Sequence, residues 1–205
     1  MPAATGEQSR KGQVGRPRED VDSEILQVVR DVLVERGYYG LSIQEVTRRS
    51  GVHVRTVSRR WPTKAALVAA AILGDGERLY EEQGVDLPTG DLKADLRRLV
   101  GLNAAYHSDP ATRAAIPGLW AEMGTDPDVA QRFTRRQQDW ADLTRAVLEA
   151  AAASGDVPPG VVERGHLLPH MIAGTTFTLE YMPDPPVTGE LLDQLVDLWM
   201  SALLA

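Results

Sequence analysis

The stretch RRSGVHVRTVSRRWPTK, residues 48–64, decides how this chain folds and what it is for. It sets five Arg, one Lys and one His among four apolar residues, with a single Gly near its start. Gly51 reaches the positive φ of a sharp turn without steric cost. From His53 onward, Val57 and Trp61 stand four apart, which places them on one face of a helix, and Pro62 stops that helix. Upstream, Ser42 is followed three residues later by Glu45, the sequence mark of a capping box. A short helix therefore starts there and turns Ile43 and Val46 inward. Two short helices joined by a Gly turn make a helix-turn-helix, whose second helix lies in the major groove while the first crosses the DNA backbone. Val52, Val57 and Trp61 anchor the second helix. His53, Val54, Arg55, Ser58 and Arg59 stay on or near the free surface.

The charge distribution agrees with that reading. The whole chain carries a net charge of −7 over 205 residues. Residues 1–64 hold 12 Lys/Arg against 8 Asp/Glu, and residues 65–205 hold 10 against 21. A basic head attracts a polyanion that an acidic body repels. There are no cysteines, so disulfides, thiolate metal sites and Cys nucleophiles are excluded. No apolar run approaches the roughly 20 residues of a membrane span, and the N-terminus lacks the apolar segment of a signal peptide. The expectation is a cytoplasmic protein without membrane contact, cofactor or metal.

Working outward, residues 1–18 have no apolar period and carry Arg10, Lys11, Arg16 and Arg18, which reads as a flexible basic arm. Ile25, Val29, Val32 and Leu33 then recur at helical spacing, with Gly37 placed to cap the helix end. Thr63 caps a fourth helix expected to run to about Gln83. Beyond residue 85, breaks rich in Gly, Pro and Asp divide helices expected at about 89–107, 109–124, 126–154, 159–182 and 187–204. The run TTFTLEYM, 175–182, is ambiguous between helix and strand, and Pro117 is expected to break its helix in midcourse. The fold class is all-α, with about nine helices: an arm at 1–18, a helix-turn-helix domain at 19–64, and a ligand-binding and dimerisation domain at 65–205.

Residues 16–73 resemble the N-terminal domain of the TetR family of bacterial transcriptional repressors. The resemblance is carried by GRPR, by ILQVVRDVLVERGYYGLSIQEVTRRSGV and by TVSRRWPTKAAL, with the spacing from Gly37 through Gly51 to Lys64 kept without gaps. It implies base-facing roles for Gln44, Val54, Arg55 and Ser58. It implies phosphate contacts for Ser42, Thr56, Arg60, Thr63 and Lys64, with the capped helix N-terminus at Thr63 facing a phosphate. Arg16 and Arg18 resemble arms that enter the minor groove. Two positions depart from the pattern. Ser58 stands where the family usually has Tyr, and His53 where Ser or Thr is usual, which leaves the operator sequence open. The resemblance further implies a homodimer formed through the last two helices, a palindromic double-stranded operator, and a small-molecule effector.

The second half offers few groups for chemistry. His166 and His170 are four apart, but H-E-x-x-H lacks its Glu here and Pro169 lies between them. Pocket lining or surface, effector contact, and a metal site all remain open readings for the pair. Trp120, Met123, Phe133 and Trp140 cluster within 21 positions. Core and pocket are both open for them, since pockets between helices use the same side chains. As a pocket, it would add Asn103, Tyr106 and His107 from the preceding helix, and His170 and Phe177 from a later one, and its ligand would be largely apolar. Leu191, Leu195, Leu198 and Trp199 form a stripe on the last helix, either packed on their own subunit or facing a partner. The leading reading is a DNA-binding repressor relieved by an effector. An architectural DNA-binding protein and an all-α enzyme are the alternatives.

Overall fold

The computed structural model describes residues 18–74, 85–155, 157–158, 160–182 and 188–205. The described residues form α1 (Arg18–Gly40), α2 (Ile43–Ser50), α3 (Val54–Arg60) and α4 (Lys64–Leu73). They continue as α5 (Leu92–Ser108), α6 (Pro110–Glu122), α7 (Pro127–Ser154), α8 (Val161–Arg164), a 3₁₀ turn (Gly165–Leu167), α9 (Leu168–Tyr181) and α10 (Gly189–Leu204). No strand occurs among them, and TTFTLEYM is helical up to Tyr181. The all-α class holds. Arg16 and the part of the fourth helix expected beyond Gly74 lie outside the described residues, and so does the side chain of Arg18.

The caps predicted from sequence set most of the boundaries. Ser42 Oγ accepts from Glu45 N, Thr63 Oγ1 from Ala66 N, and Asp126 Oδ1 from Asp128 N and Val129 N. Each satisfies a backbone donor that the first helical turn leaves over. Gly37 interrupts α1 at φ 68, ψ 178, and Gly51 ends α2 at φ 69. The helix expected at 159–182 divides into α8, the 3₁₀ turn and α9. Pro169 sits in the first turn of α9, where its missing N–H costs nothing. Pro117 behaves differently from expectation, because α6 runs through it without a break. Ala115, Ile116, Gly118 and Leu119 are all buried around it, and that packing outweighs one lost backbone hydrogen bond.

Two apolar clusters hold the chain together. The first joins Ile25, Val29 and Leu33 of α1 to Val46, Val57 and Trp61, to nearly the whole of α4, and to Ala115, Ile116 and Leu119 of α6. It therefore crosses the boundary expected after residue 64. The second joins Leu96, Leu99 and Val100 of α5 to Trp140 and Val147 of α7, Ile172 of α9, and Val196, Trp199 and Leu203 of α10. Helix α6 lies along α1 and binds the two halves. Arg30 of α1 donates to Asp109 Oδ1 at 2.9 Å, and Asp109 in turn caps α6 through Thr112 N.

Candidate nucleic-acid interface and inter-helix cavity

The helix-turn-helix forms as its residues require. Val46 and Val57 are fully buried and Trp61 nearly so, which fixes α3 against α1 and α2. Gln44, Thr47, His53 and Val54 line one shallow cleft between α2 and the start of α3. Gln44, Val54 and Arg55 are exposed, and Ser58 and Thr56 half-buried. His53 stands at the N-cap of α3 without a side-chain hydrogen bond to the helix, so its imidazole is not spent on capping.

The basic residues divide into two groups. Arg48 makes a two-pronged contact with Glu45, Nε at 2.9 Å and Nη2 at 2.8 Å. Arg49 donates to Glu45 at 2.7 Å and grips Glu35 of α1 with both Nη atoms, at 2.8 and 2.6 Å. The hydrogen bonds from Arg48, then Arg49, hold the Glu45 carboxyl well below the usual range. Glu45 is thus drawn to arginines and does not return to the Ser42 backbone, leaving the capping box half-formed. Arg55 and Arg59 are exposed and have no ion-pair partner among the described residues. With Arg48, whose side chain stays 68% exposed, they present positive charge to solvent.

Several expected phosphate contacts are placed otherwise. The Arg60 side chain is only 12% exposed and its Nε lies 2.9 Å from Asp22 Oδ1. The angles are too poor for a hydrogen bond, so the contact is an ion pair that fastens α3 to α1. Lys64 Nζ donates to the Tyr38 carbonyl at 3.1 Å and lies 4.3 Å from the Tyr38 ring centre. Thr63 Oγ1 donates to Asp126 Oδ2 at 2.7 Å, which sets a carboxylate beside the helix start where a phosphate was expected. Ser42 serves as the cap described above.

A cavity of about 240 Å³ opens between α5, α6, α7 and α9. Asn103, Tyr106, Trp120, Phe133, Trp140, His170 and Phe177 line it, all of them read as pocket candidates in the sequence. Met123 does not; it caps the end of α6 and faces outward. His107, Ile116, Arg136, Gln137, Ala173 and Gly174 complete the walls. Trp120 stacks on Phe177 with ring centres 4.8 Å apart, and His107 meets Phe177 edge-on at 5.7 Å. Burial, and then the charge of Arg136, push the His107 imidazole down to about 4, so it is neutral at pH 7. Arg136 and Gln137 were missed in the sequence, although they fall between Phe133 and Trp140 at helical spacing. No group of three His, Asp or Glu able to hold a metal occurs among the described residues.

On the last helix the stripe divides. Trp199 is 4% exposed and packs within its own chain, in the second core. A side chain that large fills the second core. Leu198 is 64% exposed, and Leu191 and Leu195 are half-buried. Leu167, Met171 and Met182 are also exposed, in the 3₁₀ turn and along α9.

Comparison with known proteins agrees with this architecture from both ends. Residues 25–71 match the family described as bacterial regulatory proteins, tetR family, and residues 87–199 match the tetracyclin repressor-like C-terminal domain. An uncharacterised HTH-type transcriptional regulator of Mycobacterium tuberculosis is 31% identical over 88% of this chain and 85% of its own length. Among solved structures, a putative transcriptional regulator from Saccharomonospora viridis in complex with choline superposes with a TM-score of 0.69, at 15% identity over 90% of this chain and 97% of that one. The regulator FadR from Bacillus subtilis in complex with stearoyl-CoA gives 0.59, at 15% identity over 89% and 97%. With a helix-turn-helix in front, an all-α body behind it and a relative that covers both, the chain belongs to the TetR family of HTH-type transcriptional regulators.

Proposed function

We propose that this regulator is a homodimeric repressor whose grip on a palindromic operator is set by a small, largely apolar molecule in the inter-helix cavity. The observation that carries the reading is the double use of α6. Ile116 and Trp120, four apart on one face, line the cavity. Gly118 lies between them on the opposite face and seats the Tyr38 side chain. Tyr38 holds Lys64 through its carbonyl and Glu122 through its hydroxyl. A ligand that tilts α6 therefore moves the residues that set α4 and the recognition helix. The effector must prefer one arrangement over the other, because equal affinity shifts nothing.

On the DNA side, Gln44, Val54, Arg55 and Ser58 are assigned to bases, and Thr56, Arg59 and the exposed edge of Arg48 to phosphates. Lys64, Thr63 and Ser42 reach a phosphate only if their present hydrogen bonds are shared. For the dimer, the exposed Leu198 with Leu191, Leu195 and Met171 supplies an apolar face on α9 and α10. A two-fold pair would space two recognition helices by one DNA turn, about 34–36 Å.

The test is binding of the purified chain to duplex DNA from upstream of its own gene, at physiological salt with excess competitor, since affinity without stated salt means little. Protection of a palindrome that survives competitor supports the reading. Displacement by any DNA alike would favour an architectural protein instead.

A further inference from the structure

The cavity is apolar in bulk but not neutral. Among the described residues that line it, Arg136 is the one Arg or Lys, and no Asp or Glu occurs. The Arg136 guanidinium lies 3.7 Å from the Tyr106 ring centre, and its Nη1 is buried without a hydrogen-bond partner among the described residues. The next side chain, Gln137, buries Nε2 in the same condition. Asn103, also in the lining, already takes the Thr176 hydroxyl on its Oδ1 at 2.6 Å. A ring face offsets part of the cost of burying a cation. It does not satisfy an in-plane N–H, and a buried donor left unmade is costly.

We propose that the cavity selects a small organic monocarboxylate, its apolar body against Trp120 and Phe177 and its carboxylate accepting from Arg136 Nη1 and Gln137 Nε2. The proposal rests on the effector reading above and narrows it to an anion. Arg136 is a donor in every protonation state, so the argument does not depend on a tautomer. A neutral ligand leaves the charge unpaired, and a cationic one is repelled by it. Size sets the scale of the body. An apolar cavity of about 150 Å³ already takes up benzene, so 240 Å³ suits one ring with a short side chain, or a short aliphatic chain.

The test is calorimetric titration of the full chain with matched probes: phenylpropanoate, phenylpropanol and phenylpropylamine; octanoate and octanol; and acetate as a carboxylate without a body. A charge-assisted hydrogen bond that forms only with the anion predicts acids tighter than their alcohols by about ten- to a hundredfold. The amine and acetate are expected to give no heat of binding. Arg136→Met should abolish the preference, bringing the acids to or below their alcohols, and Arg136→Lys should restore part of it. Should Arg136→Met fail to fold, the acid-to-alcohol ratio on the wild-type protein still decides. Alcohols binding as tightly as acids, or no acid binding in the millimolar range, overturns the proposal. The same probes added to the DNA complex separate the two readings. Acid binding without change in DNA affinity keeps the anion site and removes effector control. DNA release by the alcohols alone keeps effector control and removes the anion preference.

Discussion

Gly118→Ala is the sharpest single probe of how the two halves are joined. A Cβ at Gly118 would overlap Tyr38 Cδ1 and Cγ and come to 2.9 Å from Tyr38 Cβ. These are the near atoms of the side chain, so Tyr38 cannot swing clear without moving the end of α1. It is also held from several sides: its hydroxyl donates to Glu122 at 3.2 Å, its carbonyl accepts from Lys64, and its ring is nearly buried. Inserting a methyl into such a site costs about 1–3 kcal/mol. Replacing Gly by Ala inside a helix returns up to about 1 kcal/mol. With that gain in full the net loss is up to about 2 kcal/mol, which lowers Tm by up to about 8 °C in a chain of this length. Gly101→Ala is the internal control. It lies inside α5 with nothing within 4 Å of an added Cβ, so only the helix gain remains and Tm should hold or rise. Thermal melts of both variants read the stability difference. Operator binding reads the second consequence, since displacing Tyr38 displaces Lys64. If Gly118→Ala melts with or above Gly101→Ala, the seam is not packed as argued and the coupling through α6 fails with it.

Three further predictions concern single side chains. Asp22→Ala leaves Arg60 without its ion-pair partner; the loss should be about 1–2 kcal/mol, below the roughly 3–5 of a fully buried pair because Asp22 is 32% exposed, and denaturant melts would read it. If Asp22→Ala is neutral in stability, Arg60 is not what holds α3 to α1. Because burial and Arg136 lower His107 from 6.5 to about 4, the unfolded chain takes up the proton first as pH falls. The His107 contribution is thus fully present above pH ~6.5 and is lost toward pH ~4, with about 2 kcal/mol gone by pH ~5; a His107→Gln variant whose stability falls just as steeply over that range would refute this. Arg55→Ala should relax operator preference at one or two positions, a change of about 1–3 kcal/mol at each. Uniform weakening across all sequences would make Arg55 a phosphate contact instead.

What the sequence determined by itself is local. The Ser42 and Thr63 caps, the turns at Gly37 and Gly51 and the burial of Val46, Val57 and Trp61 depend on residues a few positions apart, so spacing alone reveals them. Most of the cavity was legible for a related reason. Aromatic side chains are few in this chain, and those with a helical period had to meet between helices. The tertiary structure decided what each charge does. Arg49 answers to Glu35, fourteen residues away, and Arg60 to Asp22. A count of basic residues therefore overstates the charge left for DNA. The structure also decided that Trp199 faces its own core, that α6 runs through Pro117, and that Gly118 receives Tyr38 from eighty positions earlier. Arg136 belongs to the same class, since a guanidinium on a long helix reads as solvated surface until neighbouring helices enclose it. Whether a polar group is satisfied, buried or left waiting for a ligand is settled by the partners that packing brings to it, and those partners are distant in the chain.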